Sequence, residues 1–174
     1  MFEYLKIKPG EKIASVGCGG GLWEVAWSFR LENVAITLQD INTEILNHSE
    51  LKNTIQYFEK NNNKPTSCTF NIVIGKETQT NLPQKYFDKI ILINSLHEFE
   101  HKNIMLEQCQ KSLKPNGLLI IQEQKALYLG ELHGCGKPLF LENDLIEFLK
   151  KTGFKLIESQ IIGHEFTATF SYQT

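Results

Sequence analysis

Apolar residues along this chain gather in short, β-branched runs, each followed by a turn or by a helical spacing. Lys12–Val16 (KIASV) is the first buried strand, and it ends in Gly17-Cys18-Gly19-Gly20-Gly21. Leu22–Arg30 continues as a helix with Leu22, Val25, Ala26 and Phe29 on one face. Val34–Leu38 is the second strand and closes at Asp40. From Asn42 to about Asn61 the spacing is helical, with Ile45, Ile55 and Phe58 on the apolar side, until an Asn cluster before Pro65 breaks it. Cys68–Ile74 and Lys89–Ile93 are the third and fourth strands, and the polar stretch between them holds Pro83, leaving room only for a short helix. Lys102–Leu113 is helical with Ile104, Met105, Cys109 and Leu113 inward, and Lys114-Pro115-Asn116-Gly117 stops it. Leu118–Ile121 is a fifth strand, followed by a loop-rich insert, Gln124–Leu141. Glu142–Thr152 is a helix carrying Leu145, Phe148 and Leu149, and Gly153 suits its C-terminal cap. Lys155–Ile162 and Glu165–Tyr172 have only Gly163-His164 between them, too short for a crossover, so they pair as an antiparallel hairpin. The alternation predicts one α/β domain over residues 1–174, with a doubly wound, mostly parallel sheet and one mixed edge.

The 174 residues are 41% hydrophobic and 22% charged, with a net charge of −2, so no basic excess advertises nucleic acid or an anionic membrane. No apolar run approaches the length of a membrane span. Charges interrupt MFEYLKIKPGEK throughout, so no signal peptide is expected. Cys18, Cys68, Cys109 and Cys135 form no CxxC pair and read as reduced thiols, which places the expected location in the cytoplasm.

The chemistry concentrates in Ile13–Trp23, where a glycine-rich turn joins a buried strand to a helix. Glycines allow positive φ and a close ligand approach, and the free amides at a helix start favour a negative group. The alternative is a tight strand–helix turn with no ligand. The pattern is G-x-G-x-G, since Leu22 stands where a dinucleotide fingerprint has its third glycine. Asp40, at the end of the second strand, can accept hydrogen bonds from both hydroxyls of a ribose, or else cap the helix beginning near Asn42.

With these residues in view, the chain resembles the class I S-adenosylmethionine-dependent methyltransferases over nearly all of its length. Val16-Gly17-Cys18-Gly19-Gly20-Gly21 resembles that family's first motif and Gln39-Asp40-Ile41 its ribose-binding strand end. Phe87-Asp88-Lys89-Ile90-Ile91, Leu113-Lys114-Pro115-Asn116-Gly117-Leu118 and Thr152-Gly153-Phe154 resemble the entries to its fourth strand, fifth strand and terminal hairpin. The resemblance implies a seven-stranded Rossmann-like sheet of order 3-2-1-4-5-7-6 with strand seven antiparallel. It also implies S-adenosyl-L-methionine as cofactor. Gly17, Gly19 and Gly21 are then expected along its methionine part, Asp40 at the ribose and Ile41 on the adenine. Glu77 or Thr78 belongs near the adenine amino group, and the backbone of Asn94 near the sulfonium. Two positions depart from the family: Ser15 stands where it usually has Asp or Glu, and Lys76 precedes Glu77 where an acid is usual. These departures motivate an alternative, a cofactor-binding or partner protein with the fold and little catalysis.

Methyl transfer needs a general base only when the acceptor must lose a high-pKa proton. His97-Glu98 resembles the catalytic His-Asp of plant small-molecule O-methyltransferases, so His97 is the candidate base; it can equally line a substrate pocket or start a helix. His97-Glu98-Phe99-Glu100-His101 also spells H-E-x-x-H, the zinc-protease motif, which requires both histidines on one helix face. His97 is expected in a strand-to-helix loop, which argues against zinc hydrolysis. His133-x-Cys135 is half a metal site with no neighbouring pair in sequence, and no metal is expected. No N-P-P-Y-type tetrapeptide follows the fourth strand and no cysteine follows a proline, which disfavours nucleic acid bases as acceptors. A small molecule is the expected substrate, with Gln124–Leu141 shaping its pocket. About a dozen residues precede Lys12, so the acceptor site is expected to be open, or completed by a homodimer or partner chain.

Overall fold

Seven strands make one sheet in the computed structural model, which describes residues 2–172; the single-domain reading also covers Met1, Gln173 and Thr174, which lie outside the described residues. The strands are β1 (Lys12–Val16), β2 (Ala35–Asp40), β3 (Thr69–Ile74), β4 (Phe87–Ile93), β5 (Leu113–Gln124), β6 (Phe154–Ile162) and β7 (Glu165–Tyr172). The helices are α1 (Leu22–Ser28), α2 (His48–Asn62), α3 (Lys102–Ser112) and α4 (Glu142–Lys151). Strand order is β3-β2-β1-β4-β5-β7-β6, as expected, with β7 antiparallel to both its neighbours and the remaining pairings parallel.

The central strands are apolar on both faces because helices cover both. Ile13, Ile36, Ile91 and Ile120 pack with Val25 of α1 and Leu51 of α2. Their strand neighbours Ala14, Ile90, Leu92 and Leu119 pack on the other side with Leu106 of α3 and Leu149 of α4. The parallel strands therefore all release their chain at one edge of the sheet. β1 leads to a helix on one face and β4 to a helix on the other, so a crevice opens between their carboxyl ends.

Three local readings change. α2 begins at His48, six residues later than its spacing suggested, because the Asn47 side chain accepts from the Glu50 amide and caps it there. β5 begins at Leu113, paired with Phe87, and Lys114-Pro115-Asn116-Gly117 is an irregularity within its pairing to β4 rather than a loop before the strand. Ile104, expected inward on α3, is 39% exposed.

The face of α1 also differs. Glu24, Val25, Trp27 and Ser28 are buried, whereas Leu22 and Trp23 are exposed. The helix leaves a left-handed N-cap, Gly21 (φ +74°), pressed so close to β2 that a Cβ there would lie 2.6 Å from Leu38 Cδ1. That seat sets the rotation of α1 and turns Glu24 onto β1, where Ser15 Oγ donates to Glu24 Oε1 at 2.6 Å. The carboxylate that the family pattern has at Ser15 thus arrives from the helix. Burial pushes the Glu24 carboxyl up to about 7, against a hydrogen bond from Ser15 that lowers it.

Two outcomes are expected. Gly21→Ala and Gly10→Ala both strain a left-handed residue, but nothing among the described residues lies within 4 Å of a Cβ at Gly10. Denaturant midpoints will therefore show Gly21→Ala less stable than Gly10→Ala by about 1–3 kcal/mol, the cost of overpacking against Leu38; equal losses contradict this seat. For Glu24, the folded state keeps a proton that the unfolded chain releases at its ordinary value of 4.5. Stability is lost as pH rises from there to about 7 and does not return above it. Glu24→Gln will accordingly gain on the parent protein between pH 5 and pH 8, and an unchanged difference between the two pH values contradicts it.

Candidate functional site

The crevice is built from the chain ends of β1, β2 and β4. Gly17 (φ +69°) turns the backbone out of β1, and its amide donates to the Gln39 carbonyl at 2.8 Å. A Cβ on Gly17 would sit 2.7 Å from Ser95 Cβ, so the glycine loop lies directly against the residues that follow β4. Asp40 fastens the loop to β2. Its Oδ2 accepts from the Gly19 amide at 2.7 Å, and its Oδ1 accepts from Ile41 and Asn42 at 2.8 and 2.9 Å. A carboxylate offers about four lone-pair sites, so one on Oδ2 remains for a ligand hydroxyl.

Between these elements lies a cavity of about 430 Å³, a volume ordinary for a small-molecule site. Of the residues singled out from sequence, Gly17, Gly19, Asp40, Ile41 and Glu77 line it. Gly21, Thr78, Asn94 and His97 do not line it, each for a structural reason. Gly21 is taken up by the α1–β2 contact. Thr78 is exposed in a turn closed by the reciprocal backbone bonds of Lys76 and Gln79. Asn94 binds β5 instead, its Oδ1 accepting from the Gln124 amide and its amide donating to the Gln122 carbonyl. Ser95, Phe99, Met105 and Ile45 line the cavity and were not picked out as site residues. Ile45 had been assigned to the apolar side of α2, but it precedes that helix, and with Ile41 it leaves an apolar surface about half exposed at the cavity.

The lining carries Asp40, Glu77, Glu98 and Glu100 against Lys76, an excess of negative charge that suits a cationic ligand. Lys137 is paired with Glu100 and holds its carboxyl below the usual range. The half-buried Cys18 thiol is pushed the other way, by burial and by the nearby Glu24 and Asp40 carboxylates, so it stays protonated and unreactive.

His97 sits beyond the cavity wall in a single 3₁₀ turn, Leu96–Glu98. Glu123, near the end of β5, accepts from the Leu96 amide at 2.7 Å and pairs with His97 Nδ1 at 2.5 Å, both side chains being buried. His97 Nε2 is buried without a hydrogen-bond partner among the described residues, and its ring lies 4.5 Å from that of His133. Phe99 is extended and His101 is the N-cap of α3, so the two histidines of H-E-x-x-H share no helix and the hydrolase geometry is absent there. The pairing of Glu123 with a residue 26 positions earlier leaves no periodic signal in the sequence.

No helix among the described residues is long and apolar enough to cross a membrane. The family described as Methyltransferase domain matches residues 2–159. Phosphoethanolamine N-methyltransferase 3 of Arabidopsis thaliana is 24% identical over 163 residues, covering 92% of this chain but only 29% of that protein. The chain thus spans under a third of the length of the curated relatives it matches. Among solved structures, a SAM-dependent methyltransferase from Aquifex aeolicus superposes with a TM-score of 0.74 at 19% identity, covering 98% of this chain and 88% of that one. The 1,6-didemethyltoxoflavin-N1-methyltransferase of Burkholderia thailandensis, solved with 1,6-didemethyltoxoflavin and S-adenosylhomocysteine bound, gives 0.74 at 17% identity, covering 99% and 75%. The strand order, the glycine loop held by Asp40 and the family match over residues 2–159 together make this chain a member of the methyltransferase-domain family, with the fold of the class I S-adenosylmethionine-dependent enzymes.

Proposed function

We propose that this chain moves a methyl group from S-adenosylmethionine to a small-molecule acceptor, in the cavity between the glycine loop and the end of β4. The observation that carries the proposal is the acidic cavity itself, with a carboxylate on β2 and a backbone that leaves no Cβ over its floor. Three features support the fit of the cofactor. Gly17 and Gly19 let a chain pass close to the loop, Asp40 keeps an acceptor site for a ribose hydroxyl, and Ile41 with Ile45 offers apolar cover for a flat ring. Glu77 shares the lining with that apolar pair and offers a carboxylate to the adenine amino group.

The cofactor supplies a methyl group already activated on a positively charged sulfur, so alignment matters more than covalent assistance. Asp40 and Glu77 outweigh Lys76 in the lining and favour a cationic group there. Ser95 Oγ donates to the Val16 carbonyl at 3.0 Å, which holds the wall after β4 against the glycine loop. Asn94 acts behind it by keeping the ends of β4 and β5 in register. His97 does not line the cavity, so this proposal assigns it no role as a base. The acidic lining and the small acceptors in the names of the relatives above both favour a small molecule over a polyanion.

Calorimetry with S-adenosylmethionine and S-adenosylhomocysteine tests the cofactor. Both bind the parent chain, and Asp40→Ala weakens them about 10–100-fold, the loss of a hydrogen bond to a charged group. Unaltered affinity in Asp40→Ala sinks the site. Incubation of a cell extract with methyl-labelled cofactor then tests the acceptor: label is expected among small molecules, and label confined to protein or nucleic acid contradicts that part of the proposal.

A further inference from the structure

The insert between β5 and α4 folds into a small hairpin, in which the His133 amide donates to the Lys137 carbonyl and the Gly136 amide to the His133 carbonyl, each at 2.8 Å. The turn sets His133 Nδ1 3.1 Å from Cys135 Sγ, and the Lys137–Glu100 ion pair docks the hairpin on the segment after β4. It thereby delivers a thiol and an imidazole to the 3₁₀ turn that carries His97 and Glu98. One ligand atom from each of His97, Glu98, His133 and Cys135 lies within 4.8 Å of the others.

We propose that these four residues bind a divalent transition-metal ion of the zinc class, which fastens the 125–141 insert to the end of β4. Two imidazoles, a thiolate and a carboxylate are a zinc donor set, unlike the all-oxygen surroundings that magnesium and calcium prefer. Tetrahedral zinc holds its N, O and S ligands roughly 3.3–3.8 Å apart, given bond lengths near 2.0–2.3 Å. The ligand atoms must therefore draw in by about 1 Å, and Cys135, exposed between Gly134 and Gly136, has the room to do so.

The buried face of the site points the same way independently. His97 is fully buried, and its Nε2 has no hydrogen-bond partner among the described residues, with Glu98 Oε1 3.8 Å away, so a ligand there relieves an unsatisfied buried polar atom. Glu123 pairs with Nδ1 at 2.5 Å, which leaves Nε2 as the ring atom open to a ligand. That is the carboxylate–histidine–metal arrangement in which an outer acid fixes tautomer and ring orientation. On binding, Cys135 gives its thiol proton to solvent and coordinates as thiolate. Four protein ligands close the coordination sphere, which makes the ion a staple and not a hydrolytic centre. Glu98 belongs both to the cluster and to the cavity lining, so the staple sets the wall on the acceptor side.

The test uses the chelator-treated 174-residue chain titrated with zinc by calorimetry and with cobalt by visible spectroscopy, both without S-adenosylmethionine, so that its outcome does not depend on cofactor binding. One ion per chain is expected, with a thiolate-to-cobalt charge-transfer band that Cys135→Ser abolishes. Glu123→Gln, which leaves all four ligands in place, weakens zinc roughly 10–100-fold. Because His97→Ala opens a buried site and can unfold the chain, the decisive variants are His133→Ala and Cys135→Ser in the insert. Absence of stoichiometric zinc binding to the parent, or binding that survives both insert variants unchanged, overturns the proposal.

Discussion

The 2.7 Å bond from the Gly19 amide to the Asp40 carboxylate is the contact on which the site depends. It ties the loop after β1 to the end of β2, and the Gly17–Gln39 backbone bond beside it continues the parallel ladder past the last strand residue. With the loop fixed on one side, Gly17 has no space for a side chain against Ser95 on the other. The crevice at the β1–β4 switch is thus a cavity with a defined floor. Its walls come from Ser95, Phe99 and Met105 on one side and from Ile41 and Ile45 on the other.

Much of this was legible in the chain, for identifiable reasons. Strands buried on both faces give short apolar runs, and KIASV and KIILI are read directly as β1 and β4. A two-residue link permits only a hairpin, so the antiparallel β6–β7 edge followed from Gly163-His164. Strand order and the cofactor came instead from the family resemblance, since neither spacing nor composition carries them. Gly17, Gly19 and Asp40 share one cavity lining because the ends of parallel strands meet at one edge, so residues far apart in sequence share a predictable place.

The misses share another cause. Leu22 was read inward by helical period, but a glycine seated on Leu38 rotated α1 and buried Glu24 in its stead. Thr78 and Asn94, picked out by position next to a strand end, stand outside the cavity lining, Thr78 in a local turn and Asn94 bonded to β5. The half-site His133-x-Cys135 was given no completing pair because the residues the fold brings beside it, His97 and Glu98, lie 36 and 35 residues before His133. Such proximity is made by the fold of the insert and has no signature in period or spacing.

The central claim is that the cavity over Gly17, Gly19 and Asp40 is where S-adenosylmethionine binds. A crystal structure with S-adenosylhomocysteine tests it most directly. The account predicts a ribose hydroxyl within hydrogen-bond distance of Asp40, the adenine against Ile41 and Ile45, and the sulfur toward Ser95 and Glu98. A ligand bound elsewhere, or an Asp40 carboxylate that makes no contact with it, contradicts the account.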